Sequence, residues 1–277
     1  MGGADDRSCM GNESSRRRFV LATATALTAG VAGCATGDGN DTTTDTTGTT
    51  QTTTAATTTE ETTTQATTTQ GPSARLRVAH LSPDAPAVDV LVDGSAVLEG
   101  VTFGAISDYL SVPPGDYAVA VQTTDGGTTV FEETLTLDAM AYTAAAIGEV
   151  SGDSPTFTVA PFADDPGEVA SDSAAVRLLH ASPDAPAVDV AVEGSADEPL
   201  FSGVEFGTAS DYVTVPTGEY TLEIRPAGAS PSSDPAVSTT VTLESGAWTA
   251  FAAGYLTPDD EPANEPFEVL LQSDTPS

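Results

Sequence analysis

Apolar side chains fall at every second position through the most regular stretches of the chain. Val88, Val90 and Val92 alternate with Asp89, Leu91 and Asp93, the period of a strand with one buried face. One hundred residues on, Val188, Val190 and Val192 are kept while the intervening set becomes Asp189, Ala191 and Glu193. The same reading predicts strands over 75–81, 87–93, 96–99, 107–112, 116–122, 129–137, 141–148 and 156–161, with equivalents in the second half. Asp93-Gly94 and Gly126-Gly127 are hairpin signals, and Pro113-Pro114-Gly115-Asp116 separates two further strands. Seven or eight short strands in about 90 residues, with no competing helical stretch, predict an all-β chain. Its form would be two tandem antiparallel β-sandwiches, immunoglobulin-like or transthyretin-like.

The two halves are one module written twice. Arg77-Val-Ala-His80-Leu-Ser82-Pro83-Asp84-Ala85-Pro86-Ala87-Val88-Asp89-Val90 recurs from Arg177 to Val190, and the nine residues Ser82 to Val90 are identical in the second copy. Phe103-Gly104 with Ser107-Asp108-Tyr109 returns as Phe206-Gly207 with Ser210-Asp211-Tyr212; Tyr142-Thr143-Ala144 and Gly148 return as Trp248-Thr249-Ala250 and Gly254. The offset grows from 100 to 103 to 106 along the copy, which places small insertions in loops. Repeat 1 is assigned to 73–163 and repeat 2 to 175–272, with an acidic linker at 164–174 and a tail at 273–277.

A different kind of sequence precedes them. Ser15-Arg16-Arg17-Arg18-Phe19-Val20-Leu21 opens a run without charge as far as Gly37 and resembles a twin-arginine export signal, with Arg16 and Arg17 as the signature pair. Val31-Ala32-Gly33-Cys34 resembles a lipobox. Cleavage after residue 33 removes Cys9 and leaves Cys34 as the first residue and sole thiol, the expected lipidation point. An uncleaved signal anchor is the alternative. Residues 34–72 form a stalk: 19 of the 30 residues from 41 to 70 are Thr, a composition that cannot bury a core and is expected to be disordered. The stalk is a candidate for O-glycans, and Asn40 opens an N-glycosylation sequon.

Charge narrows the partners. The 277 residues carry 41 acids against 8 cations, all of them Arg, for a net charge of −33. Such a surface repels phosphate backbones and anionic headgroups, so nucleic acid is excluded and the membrane is reached through the lipid anchor. No cofactor is implied. Each copy offers one His, no thiol, no Lys and no Gly-x-Ser-x-Gly elbow, so nothing nominates a nucleophile and the chain is read as non-enzymatic. His80, Asp84 and Asp89, with His180, Asp184 and Asp189, have the residue types to hold a divalent cation or a small ligand. The competing reading is turn chemistry: Pro83 and Pro86 fix φ, Asp84 accepts backbone N–H groups, His80 orients the turn and Asp89 reaches toward Arg77. Tyr109 and Tyr212 are expected in core packing, Tyr117 and Tyr220 at a sandwich end. Asp164-Asp165 and Asp259-Asp260-Glu261 are expected on solvated linkers or ends.

Arg-x-x-His-x-Ser-Pro-Asp-Ala-Pro-x-Val-Asp-Val, then Phe-Gly, Ser-Asp-Tyr and Val-Pro-x-Gly-Asp/Glu-Tyr, resembles the family called domain of unknown function 4397. The resemblance covers about 75–163 and 175–271 and implies an extracytoplasmic β-sandwich with no established activity. The expected role is therefore binding, adhesion or envelope structure at the outer face of the cell membrane, with a surface protein or glycan as partner.

Removal of residues 1–33 takes away 3 acids and 4 Arg, leaving 38 acids and 4 Arg, net −34 over 244 residues. Self-repulsion on this scale opposes compact folding, and molar salt, with a Debye length of about 3 Å, screens it. Abundant acids without Lys fit a halophilic source. Dialysis from molar to millimolar salt is expected to lower the melting temperature or abolish cooperative unfolding; identical melting in both would refute this reading.

Overall fold

The computed structural model describes residues 73–152 and 155–275. The expectations for Arg16, Arg17, Cys34, Asn40 and the Thr-rich stalk lie outside the described residues. Repeat 1 contains β1 (Ala74–His80), β2 (Val88–Val92), β3 (Ser95–Val101), β4 (Leu110–Val112), β5 (Gly115–Thr123), β6 (Thr129–Leu137), β7 (Ala141–Ile147) and β8 (Thr158–Ala163). Repeat 2 contains β9 (Ser173–His180), β10 (Val188–Val192), β11 (Phe201–Val204), β12 (Val213–Pro216), β13 (Gly218–Pro226), β14 (Val237–Leu243), β15 (Gly246–Ala253) and β16 (Glu268–Ser273). All eight strands expected in the first copy are present, with ends displaced by a few residues. The β2–β3 hairpin turns on Asp93 and Gly94 at φ 49° and 75°, the paired left-handed geometry that Asp-Gly favours.

Each repeat is a sandwich of two four-stranded sheets. Repeat 1 pairs an outer sheet ordered β3-β2-β5-β6 with an inner sheet ordered β4-β1-β7-β8; repeat 2 pairs β11-β10-β13-β14 with β12-β9-β15-β16. Pairing is antiparallel except in the middle of each inner sheet, where β1 runs parallel to β7 and β9 parallel to β15. The alternating valines do what their period predicts: Val88 and Val90 pack with Leu76, Val119, Val121 and Leu135 in the first core. Val188 and Val190 do the same with Phe201, Leu222 and Ile224 in the second.

The inner sheets are buried on both faces. Along β1, Ala74, Leu76 and Val78 face the repeat's own core, while Ala79 and the following Leu81 join Ala145, Ile147, Leu179, Ala181, Phe251 and Ala253 in a third apolar cluster drawn from both repeats. The sheets therefore follow one another as outer, inner, inner, outer. This two-sided burial explains why Ala141-Tyr-Thr-Ala-Ala-Ala-Ile147 and its counterpart in β15 show so little polar alternation.

Candidate functional site

The nine identical residues form the turn from the inner to the outer sheet, and their polar groups hold backbone. Ser82 donates from Oγ to the Gly148 carbonyl at 2.6 Å. Asp84 accepts the Val150 and Ser151 N–H groups at 2.9 and 2.7 Å and the Ser151 hydroxyl at 2.6 Å. In repeat 2, Asp184 accepts from the Leu256 and Thr257 N–H groups, both at 2.9 Å, and from the Thr257 hydroxyl at 3.0 Å. The segment held in this way begins at Gly148, or Gly254 in repeat 2, with φ of 83° and 85°. A Cβ there would lie 2.4 Å from the carbonyl oxygen of Thr156 or Pro266, so both the conformation and the space require glycine.

Asp89 does not reach Arg77. It accepts the Gly100 N–H at 2.7 Å, where the β2–β3 register shifts. Asp189 likewise takes Gly203 N–H at 2.7 Å and Gly228 N–H at 2.9 Å. Both imidazoles are fully buried. Nε2 of His80 faces the Pro86 carbonyl at 3.3 Å, and Nε2 of His180 faces the Pro186 carbonyl at 3.0 Å. Nδ1 of His180 accepts the Ser182 N–H, while Nδ1 of His80 is buried without a partner. Nε2 is thus the protonated nitrogen and each ring is neutral. Among the described residues neither imidazole is hydrogen-bonded to a hydroxyl or a carboxylate. Among the described residues no three His, Cys, Asp or Glu side chains are grouped to hold a metal ion. His80, Asp84 and Asp89 are close in sequence and engaged with separate stretches of backbone.

The arginine of the motif leads elsewhere. Arg77 is 1% exposed and Arg177 3%, each pointing from an inner sheet toward the other repeat. Nη2 of Arg77 binds the carboxylate of Asp274, and Nη2 of Arg177 binds that of Asp164. The pairing is reciprocal across the joint. Nη1 of Arg77 donates to the Ser273 carbonyl at 2.9 Å, and Nη1 of Arg177 to the Ala163 carbonyl at 2.8 Å. Each Nε donates within its own repeat, to Thr143 Oγ1 at 2.8 Å and to Thr249 Oγ1 at 2.9 Å. The Thr hydroxyls in turn donate to Asp164 and Asp274, both at 2.8 Å.

Tyrosines close the two ends of this network. Tyr109 donates to Asp164 at 2.6 Å and Tyr212 to Asp274 at 2.7 Å, and their rings lie 5.0 and 4.9 Å from the guanidinium carbons of Arg77 and Arg177. Burial, with the neighbouring carboxylate, pushes both phenols far above their ordinary range. They stay protonated and donating. Asp164 and Asp274, at 7% and 4% exposure, are joint residues rather than solvated linker and tail. Reciprocity also breaks outside the arginines: Tyr255, fully buried, donates to Glu149 at 2.7 Å, although the two occupy corresponding positions after β15 and β7.

Tyr117 and Tyr220 fulfil the expectation of aromatics at a sandwich end, donating to the Pro113 and Pro216 carbonyls at 2.6 and 2.7 Å. The joint carboxylates and threonines escaped the sequence reading. The available signal was their equivalence between copies, Thr143 with Thr249 and Asp164 with Asp274.

A family model described as "Domain of unknown function (DUF4397)" matches residues 74–191 and 174–275. No match was found among curated protein sequences. Among solved structures, one described as "Alpha-glucan binding by a streptococcal virulence factor" shares 10% identity over 64% of this chain and 91% of its own, with a TM-score of 0.22. A CBM26 module of Eubacterium rectale Amy13K in complex with maltoheptaose shares 10% identity over 74% and 98%, with a TM-score of 0.23. Overlaps this slight establish neither a common fold nor a common ligand.

Two outcomes are expected. Asp164→Ala leaves Arg177 buried without its counter-charge and should cost about 3–5 kcal/mol in urea unfolding at molar salt. The Arg177→Met, Asp164→Leu double variant should recover part of that loss; a single-variant effect near zero would show that the pair is solvated and energetically idle. Burial also lowers both imidazole pKa values below the ordinary 6.5. The unfolded chain then takes up protons before the folded one, so stability is full above pH 6.5 and falls as pH drops through the shifted range. Thermal melting across that window should show the decline, and His80→Gln with His180→Gln should flatten it.

Proposed function

The chain belongs to the family described as domain of unknown function (DUF4397), and on that footing we propose that it is an exported, lipid-anchored cell-surface protein. Its two sandwiches act as one non-catalytic binding head, held off the membrane by the Thr-rich stalk. The observation that carries this reading is the reciprocal joint. Arg77 to Asp274 and Arg177 to Asp164, with a shared apolar cluster beside them, lock two modules that hinge freely in ordinary tandem proteins. A head of this kind presents loops and outer sheets of both repeats in fixed relation. Binding to a surface glycan or protein uses such fixity, whereas the signature motif supplies it from inside.

Further support comes from the sequence: the Arg16-Arg17 signal, Cys34 at the end of a lipobox and the polar stalk. The acidic surface is an adaptation to concentrated salt, separate from the binding role. In the source cells Cys34→Ser should move the protein from the membrane fraction to the medium. Continued membrane association would overturn the lipid anchor. The released protein, added back to envelope fragments in molar salt, should be retained; periodate treatment of the envelopes abolishes retention for a glycan partner and protease treatment for a protein partner. No retention would remove the binding role.

A further inference from the structure

Two of the three places where repeat 2 is longer than repeat 1 meet in space. One insertion lies between Gly194 and Val204, where repeat 1 runs from Gly94 to Val101; the other lies between Ala227 and Thr240, where repeat 1 runs from Thr124 to Thr134. Together they wall a groove of about 470 Å³, open to solvent, that includes Asp197 from the first insertion and Ser232 and Asp234 from the second. Its floor is Glu223 and Arg225, which alternate with the core residues Leu222 and Ile224 and so lie on the outward face of β13. Through the common register, Val190 with Ile224 and Val90 with Val121, the equivalents in repeat 1 are Ala120 and Gln122. The guanidinium, the carboxylate and both walls are therefore peculiar to repeat 2.

Arg225 is 8% exposed and only partly satisfied. Nε donates to the Ser233 carbonyl at 3.2 Å and Nη2 to Glu223 at 3.0 Å. Nη1 is buried and has no acceptor among the described residues. A guanidinium nitrogen left so inside a protein has lost its bonds to water without replacing them, and an incoming oxygen would supply the missing acceptor. The loop above it starts at Gly228, with φ of 73°, and is knitted by its own serines, Ser230 to Ser232 and Ser233.

The groove's charge selects the ligand. One guanidinium faces three carboxylates, Glu223, Asp197 and Asp234, so an anion is repelled. A bare cation would satisfy the carboxylates and leave Nη1 as it is. A neutral ligand rich in hydroxyls answers both needs: its oxygens accept from Nη1, and its O–H groups donate to Asp197, Asp234 and Glu223. Charge-assisted hydrogen bonds of this type do not depend on net attraction, so they survive salt that screens ion pairing.

We infer that the Arg225 groove is a binding site for a neutral polyhydroxyl ligand, a glycan, carried by repeat 2 alone. The inference rests on the reading of the chain as a surface binding head and assigns that head its site. The test is calorimetric titration of the purified full chain in molar KCl with maltoheptaose, cellohexaose and mannohexaose, and with tetragalacturonate as an acidic counterpart. At least one neutral oligosaccharide should bind saturably, and tetragalacturonate at least tenfold more weakly. Arg225→Gln, which installs the repeat 1 residue, should weaken neutral binding at least tenfold and reduce retention on envelopes with it. Asp197→Asn with Asp234→Asn, both on exposed loops, should weaken it severalfold without changing the melting temperature, which separates recognition from folding. Neutral binding unchanged in both variants would overturn the site, and so would tetragalacturonate binding as well as the neutral sugars. Wild-type retention on envelopes with no binding of any neutral oligosaccharide would overturn the inference and leave the binding head intact. Loss of envelope retention in the wild type would instead remove the reading beneath it.

Discussion

A buried guanidinium must find a counter-charge, and in this chain each motif arginine finds it in the other repeat. Arg77 and Arg177 sit on inner strands whose second face is covered only when the two modules meet. Taking such a charge out of water costs several kcal/mol unless a carboxylate and full hydrogen bonding compensate. Compensation is complete here: Nε, Nη1 and Nη2 of each arginine have acceptors, drawn from a threonine, a carbonyl and an aspartate. The rest follows from that requirement. The inner sheets carry apolar residues on both faces, the tyrosines of the Ser-Asp-Tyr segments cap the carboxylates, and Asp164 and Asp274 are held just past the ends of β8 and β16.

This arrangement also accounts for what the sequence could and could not disclose. Period-two alternation reports burial of one face, so it found β2 and β10 and their partners, where Asp89 or Asp189 faces out. It is weak where both faces are buried, and the Ala-rich β7 carries little sign of the second apolar layer. Turn chemistry is local and was readable: Asp93-Gly94 and the Ser-Pro-Asp turn need only neighbours to define them. The partner of Arg77 is not local. Asp89, twelve positions on, was the reasonable candidate, yet it is required at the β2–β3 bulge by the Gly100 N–H, and the true partner is Asp274. Asp164 misled for a related reason, since its neighbour Asp165 is exposed and an acidic pair looks like linker.

The shared frame of the two copies makes their differences informative. Glu149 and Tyr255 hold equivalent positions, and their hydrogen bond joins the repeats. Two glutamates there would repel and two tyrosines would need another acceptor, so the two copies are not interchangeable. In the cores, Leu98 in repeat 1 corresponds to Phe201 in repeat 2, and a 70 Å³ cavity in repeat 1 shrinks to 20 Å³ in repeat 2. The shared motif maintains the frame, and the divergent loops and substitutions distinguish one module from the other.

The crossing of the salt bridges bears on the order in which the chain acquires its fold. Arg77 and Asp274 are separated by 197 positions, so during synthesis repeat 1 can assemble its own core long before its arginine meets Asp274. Until residue 274 has left the ribosome, the inner sheet of repeat 1 presents an arginine without its closest counter-charge and a bare apolar face. Long-range closure of this kind is slow relative to local strand pairing. The joint is therefore the last part of the two-repeat fold to close, after each repeat has formed its own core.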